Sequence, residues 1–404
     1  MHVSLVGSEM CIRDSNVTGN VTGNVTGNSD TASGLSGNPS INTTGIVTAT
    51  SFVPTVGQLS HRNKVINGGM LINQRASSYT STGGEYTLDR YNHASGGSFT
   101  FDTTTTQDSS TPDGFSKSLK ITPDSTQTPT GTHNGTIRQV FEGQDFQDLA
   151  FGTSSAKSVT VSFYAKSSSQ NNNHQYGVQL RCRDGSTTQY VSQAFTVTSS
   201  WQRFTMTFVG NTGVGIRNDN DNGFEICFHL ASGSDDIVSA KSTWTTSTAF
   251  QTVTGQSNFM DNTSNEFYLT GVQLEVGSVS TPFEHRSFAQ EALLCKRYYQ
   301  QIVGSGDLVM FGSGRASGTS NAIVSTHLAV PLRASPTISS LNYSGWGVSN
   351  SFNASNKQPV AINFHSTDNQ LNLNYEGLGG NLTNARTCTV SSYGGSTLTM
   401  DSEL

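Results

Sequence analysis

The chain has 404 residues, of which 12% are charged and 33% hydrophobic, with 41 Gly, 9 Pro and a formal net charge of -6. Its length allows two or three domains, and an acidic balance without a basic stripe argues against nucleic acid as a partner, because phosphates need Lys and Arg to neutralise them. No apolar run is long enough to cross a bilayer, so no membrane insertion is expected, and polarity carried on Ser, Thr and Asn suits an all-β protein better than a helical enzyme.

Met1 to Ser15, "MHVSLVGSEMCIRDS", share neither the repeat nor the composition of the residues after them, and they lack the charged start and long apolar stretch of a signal peptide. They resemble the translation of a sequencing adapter. They are set apart as an artefact, with Cys11, and the natural start is expected upstream.

Residues 16–60 read as a repetitive shaft. "NVTGNVTGNVTGN", Asn16 to Asn28, puts Gly at every fourth position beside β-branched Val and Thr, which rules out a helix and favours short extended pieces with Gly-Asn turns. One chain has nothing to bury Val17, Val21 and Val25 against. Several identical chains wound together would place one Val per repeat on a shared axis. "GIVTATSF" continues as a strand pattern stopped by Pro54.

Residues 61–286 carry period-two alternation. In "SVTVSFYAKS", Val159, Val161, Phe163 and Ala165 face one way. Phe204, Met206 and Phe208 do so in "WQRFTMTFVG", and Phe224, Ile226, Phe228 and Leu230 in "FEICFHL", with Glu225 and His229 outward. Asp184-Gly185 signals a hairpin. "EFYLTGVQLEVG" slips phase by one residue at Gly271, the mark of a β-bulge. Strands with one apolar face each predict a two-sheet sandwich.

Residues 287–303 read as a linking helix, with Ser287 and Gln290 closing a capping box. Phe288, Ala292, Cys295, Tyr299 and Ile302 recur at coiled-coil spacing, a candidate seam between chains, although Leu293, Leu294 and Tyr298 offer a second apolar face. Residues 304–404 return to β structure, with strand candidates in "AIVSTHLAVPL", "PVAINFHS", "NQLNLNYEG" and "RTCTVSS".

The repeats, the opening "NKVINGGMLINQR...YTLDRY", the closing "FYLTGVQLEVGSVSTPFEHRSFAQEALLCKRYYQ" and the ending "LTMDSEL" resemble tail-fibre proteins of marine tailed phages, cyanophage-like ones especially, over nearly everything after Ser15. The resemblance implies a virion component, extracellular on attachment, built as a homotrimer beside other tail proteins. It also implies a jelly-roll module similar to carbohydrate-binding modules and a distal β domain that meets a host glycan or protein receptor. Thr270 stands where calcium-binding jelly rolls often place an acid, a departure that puts a structural calcium in doubt.

Local chemistry is sparse. The five cysteines show no CxxC spacing and read as buried thiols. "NDNDNG", Asn218 to Gly223, imitates an EF-hand loop, but His229 falls where the bidentate acid belongs, leaving a polar hairpin tip. No metal, cofactor or catalytic motif emerges, and the chain is expected not to be an enzyme. The alternatives are a polysaccharide depolymerase of a tail spike, or a bacterial secreted or surface sugar-binding adhesin. Sugar recognition needs an aromatic platform framed by polar groups; Tyr79, Tyr86 and Trp244, and Trp346 in the last domain, are the candidates. Trp201, at the start of a strand, reads as core.

Overall fold

A residue whose neighbours on both sides are polar, and which is itself apolar, has one stable place in a strand: against a second sheet. The computed structural model describes residues 60–404 except 185–186, 248, 304–308, 341–345, 351–352, 358–360, 368–369, 377–381, 383–385 and 393–396. Val17, Val21, Val25 and the shaft therefore lie outside the described residues.

The first ten strands are β1 (Ser78–Ser81), β2 (Asn92–Gly96), β3 (Thr103–Asp108), β4 (Ser118–Pro123), β5 (Asn134–Glu142), β6 (Val159–Ser167), β7 (Gln175–Asp184), β8 (Thr187–Thr196), β9 (Gln202–Phe208) and β10 (Asn222–Ser232). Three two-residue strands, β11 (Ile237–Val238), β12 (Thr245–Thr246) and β13 (Thr252–Val253), precede β14 (Phe267–Val276). They build a jelly-roll sandwich. One sheet runs β1-β3-β4-β14-β6-β9 and the other β12-β8-β7-β10-β5-β2, with β11 and β13 pairing separately. The chain changes sheet between β1 and β2, β2 and β3, β4 and β5, β5 and β6, β6 and β7, β8 and β9, and β9 and β10, so consecutive apolar faces meet across one core.

That core holds the predicted inward residues Val159, Val161, Phe163, Ala165, Phe224, Ile226, Phe228 and Leu230. Phe163 stands edge-on to Phe195 and Phe228, ring centroids 5.0 Å apart in both cases, and each fully buried ring contributes about 1.5–3 kcal/mol by leaving water. The hairpin closes with Asp184 opposite Thr187. The bulge falls where the phase slips: pairing of β14 with β6 shifts between Thr270 and Gln273, and Gly271 takes φ 61, a left-handed angle that favours glycine.

The helix differs from expectation. α1 (Phe288–Lys296) has its capping box, but the chain leaves it at Arg297 and becomes β15 (Tyr299–Val303). Tyr-Tyr-Gln-Gln-Ile-Val suits a strand, and β15 finds a partner far along the chain, which decides against helix. Tyr299 and Ile302 therefore sit on a strand and not on a helical seam. Cys295 is fully buried against Ile66, Ile72 and Tyr298 of its own chain, so it too is unable to face a partner. Ala292 packs beside that cluster, while Phe288 is 67% exposed.

The remaining strands are β16 (Val309–Ala316), β17 (Ala322–His327), β18 (Thr337–Ser340), β19 (Trp346–Asn350), β20 (Asn353–Lys357), β21 (Ala361–Thr367), β22 (Gln370–Glu376), β23 (Thr387–Ser392) and β24 (Thr397–Asp401). They form a seven-stranded sheet, β20-β19-β23-β16-β17-β22-β21, and a three-stranded one, β15-β24-β18. All four strand candidates of this region are strands. β24 lies between β15 and β18, and the residues after it are clamped to the sandwich. Arg75 pairs with Asp401 at 2.8 Å and Glu403 at 3.1 Å, buried Arg90 also holds Glu403, and Tyr86 donates to the Leu404 carbonyl at 2.6 Å.

Candidate functional site

On the second sheet, the residues that alternate away from the core are charged. Gln179, Arg181 and Arg183 follow one another at period two on β7. Glu225, Cys227 and His229 do so on β10, and Arg138 on β5. Register places Glu225 opposite Arg181, and Cys227 opposite both Gln179 and Arg138. Three guanidinium groups thus converge on one carboxylate: Arg138 Nη1 at 3.3 Å and Arg181 Nη1 at 3.4 Å from Oε2, and Arg183 Nε at 3.0 Å from Oε1. Asn222 donates to Oε1 at 2.7 Å, and Arg138 Nε donates to Asn92 Oδ1 at 2.9 Å.

Glu225 and His229, expected outward, do leave the core, yet both are fully buried. The reason is a strap, residues 233–247 and 249–258, that crosses the face. Gln179 donates to the Gln251 carbonyl at 2.8 Å, Tyr190 donates to the Gln251 side chain, and Gln256 donates to the His229 carbonyl at 2.9 Å. The approach is so close that a Cβ on Gly177 would stand 2.2 Å from Thr252 Oγ1. The strap also carries Phe250, half-buried, whose ring lies 3.8 Å from the Arg181 guanidinium and 5.4 Å from that of Arg138. Stacked cations of this kind contribute about 0.5–2 kcal/mol each.

Burial alone would raise the Glu225 carboxyl, but Arg181, then Arg138 and Arg183, hold it below the usual carboxylate range. Burial, reinforced by the Arg181 charge, pushes His229 down to about 3, so it is neutral. The Cys227 thiol is pushed up to about 12 by burial and by Glu225, which leaves it inert. The arrangement is therefore a fixed charge cluster under an aromatic cap. Arg183 and Arg138 keep 34% and 21% of their side chains exposed at its rim.

The predicted aromatic residues are not gathered into one platform. Trp244 is an anchor: its Nε1 donates to the Val209 carbonyl at 2.7 Å, and its ring packs edge-on to Phe151 at 5.3 Å against the core. Tyr86 is tied to the Leu404 carbonyl, with Arg75 5.5 Å from its ring, and burial pushes its phenol up to about 12. Tyr79 donates to Asn73 at 3.3 Å on the edge strand β1. Trp346 opens β19, and the placement of its side chain lies outside what is described. Trp201, read as core, instead packs on the outside of the first sheet, edge-on to Tyr268 at 6.1 Å with Lys166 at 5.5 Å.

The "NDNDNG" loop is occupied by cations and not arranged around an ion. Arg217 holds Asp219 at 2.8 Å, while Arg333 and Asn220 exchange hydrogen bonds of 3.0 and 2.6 Å. Among the described residues no group of three His, Cys, Asp or Glu could hold a metal, and Cys182, Cys227, Cys295 and Cys388 are buried thiols. Arg181 and Arg183 had a signal in the sequence, Arg-x-Arg on one strand face. Phe250, in an irregular polar stretch, had none.

No protein-family model matches the chain, and no curated protein matches it. Among solved structures it is similar to the enzymatically active domain of tailspike protein 4 of bacteriophage CBA120, at 14% identity and TM-score 0.29 over 53% of this chain. The match spans only 21% of that tailspike domain. It is similar, too, to the family 11 carbohydrate-binding module of a cellulosomal cellulase of Clostridium thermocellum, at 15% identity and TM-score 0.27, covering 52% of this chain and 99% of that one. A xylan-binding domain from Paenibacillus barcinonensis matches at 12% identity and TM-score 0.26, covering 50% and 94%. Likenesses this weak carry no functional argument.

Proposed function

We propose that this chain is a non-catalytic, sugar-recognising subunit of a phage tail fibre, assembled as a homotrimer with other tail proteins and exposed on the virion. The observation that carries the sugar reading is the half-buried Phe250 ring lying against the Arg181 and Arg138 guanidinium groups, on a sheet face where Arg183 and Asn222 meet the same Glu225 carboxylate. A sugar stacks its C-H face on such a ring while fixed donors meet its hydroxyls. The fibre reading is supported by the "NVTG" repeats and by the sequence motifs shared with tail fibres.

Assembly is supported by α1. Phe288, Leu293 and Leu294 are 67%, 47% and 37% exposed, and the two leucines line a cavity of about 490 Å³. Ser60 and His61, the first described residues, line the same cavity. The occupant of that surface, on this reading, is a second copy of the chain.

Three measurements test the reading. Light scattering behind a sizing column should give about three times the 43.0 kDa chain, and a folded monomer would remove the fibre assembly. A glycan array probed with the full chain should show binding that Phe250→Ala abolishes. Release of reducing ends from a bound polysaccharide, lost on substitution of one carboxylate, would instead make the protein a depolymerase.

A further inference from the structure

Resting on the sugar-binding reading, we propose that the Phe250 site takes an acidic glycan, recognising an oxyanion on the sugar, a carboxylate or a sulfate ester, through Arg183 and Arg138. The cluster is unbalanced. Three guanidinium groups meet one carboxylate, an excess of two positive charges on a sheet face closed over by the strap. Arg181 is nearly fully buried and Glu225 completely so, which fixes the charges in place before any ligand arrives.

A neutral sugar gains nothing from that excess. An anion gains twice: it relieves the repulsion among the cations, and a planar fork matches a carboxylate or sulfate better than a hydroxyl does. The geometry leaves the outer two arginines to do this. Arg183 reaches Glu225 through Nε while 34% of its side chain stays exposed, and Arg138 spends Nε on Asn92 and Nη1 on Glu225 with 21% exposed. Within the cluster, buried His229 has no hydrogen-bond partner on Nδ1. The ring of Phe250 lies over the Arg181 and Arg138 guanidinium groups, so the anion meets the cluster at the more exposed Arg183 while the sugar packs on the ring.

The test is calorimetric titration of the full chain with three probes of equal length: trigalacturonate, a sulfated galactose trisaccharide and uncharged galactotriose. At least one charged probe should bind about tenfold or more tightly than the uncharged one and weaken as salt rises to about 0.5 M, and Arg183→Gln should abolish the preference. Which charged probe wins identifies the carboxylate or the sulfate. Arg183→Lys keeps the charge and loses the fork, and should lose part of the preference; it also serves if the Gln variant fails to fold. Equal binding of charged and uncharged probes, or a preference indifferent to Arg183, overturns the acidic-glycan inference and leaves sugar binding standing. Silence toward all three probes together with a blank glycan array overturns both.

Discussion

The sandwich has two outer faces, and they are covered in different chemistries. Over the first sheet, residues 277–285 are held mainly by neutral groups: Thr160 donates to the Gly277 carbonyl at 2.8 Å, Gln273 accepts from the Glu284 N-H at 2.8 Å, and Phe283 packs edge-on to Phe115 at 5.0 Å. Two charged side chains of the sheet join them, each spent on neutral partners: Glu275 accepts from the Thr281 amide and hydroxyl, and Arg203 donates to the Ser280 hydroxyl at 2.8 Å and to the Thr281 carbonyl. Over the second sheet, the strap closes on Glu225, three arginines and His229. Both faces show the same period-two pattern in sequence. The pattern identifies which side chains leave the core, and the covering segment decides whether they meet water, hydroxyls or fixed charge.

The strongest way to break the contrast is Glu225→Ala. Removing the carboxylate strands three cations on a buried face, and urea unfolding should show a loss of about 3–5 kcal/mol. The counterpart on the first sheet, Gln273→Ala, removes a neutral partner and should cost about 1–2 kcal/mol.

Acid gives the next largest effect. His229 on the second face, and His93 hydrogen-bonded between Thr103 and Thr105 inside the sandwich, are both pushed by burial to about 3. Below the ordinary histidine range the unfolded chain takes up protons that the folded one refuses. Stability is therefore complete above pH ~6.5 and falls as pH drops toward about 3, by roughly 2 kcal/mol per histidine at pH ~5. Urea unfolding at the two pH values checks this, and His93→Gln with His229→Gln should flatten the slope. Glu142 adds a further loss at lower pH. Burial opposes its ionisation, but hydrogen bonds from Arg297 and Tyr298 hold its carboxyl below the usual range.

Two smaller changes sharpen the first face. Gly271→Ala would force a Cβ to 2.7 Å from Phe115 and 2.9 Å from Tyr164 at a left-handed angle, and thermal unfolding should register about 1–3 kcal/mol. Lys120→Ala breaks a half-exposed ion pair with Glu266, and the change should stay under about 1 kcal/mol.

What the sequence made legible was whatever depends on neighbours in the chain. The bulge at Gly271, the hairpin at Asp184, the capping box at Ser287 and the inward faces of β6, β9 and β10 follow from local spacing. The end of α1 does not, because the partner that turns Tyr299–Val303 into a strand is β24, almost at the other end of the domain. The burial of Glu225 and His229 was hidden for a similar reason: the strap that covers them has little alternation of its own. Trp244 looked like an exposed platform because its polar neighbours conceal that it is the strap's anchor to the core.

The position of β24 carries a consequence for biosynthesis. β15 and β18 have no hydrogen bonds to each other, and each is stitched to β24 along its length, from Tyr299 opposite Asp401 to Ser340 opposite Leu398. While the ribosome is still making residues 341–396, both edges wait unpaired. The sandwich can fold as it emerges, but this sheet closes only when its middle strand, the last of the three to be made, is released. A pause or truncation before Thr397 would leave two open strand edges on an otherwise finished domain, an invitation to pair with the same edges of a neighbouring nascent chain.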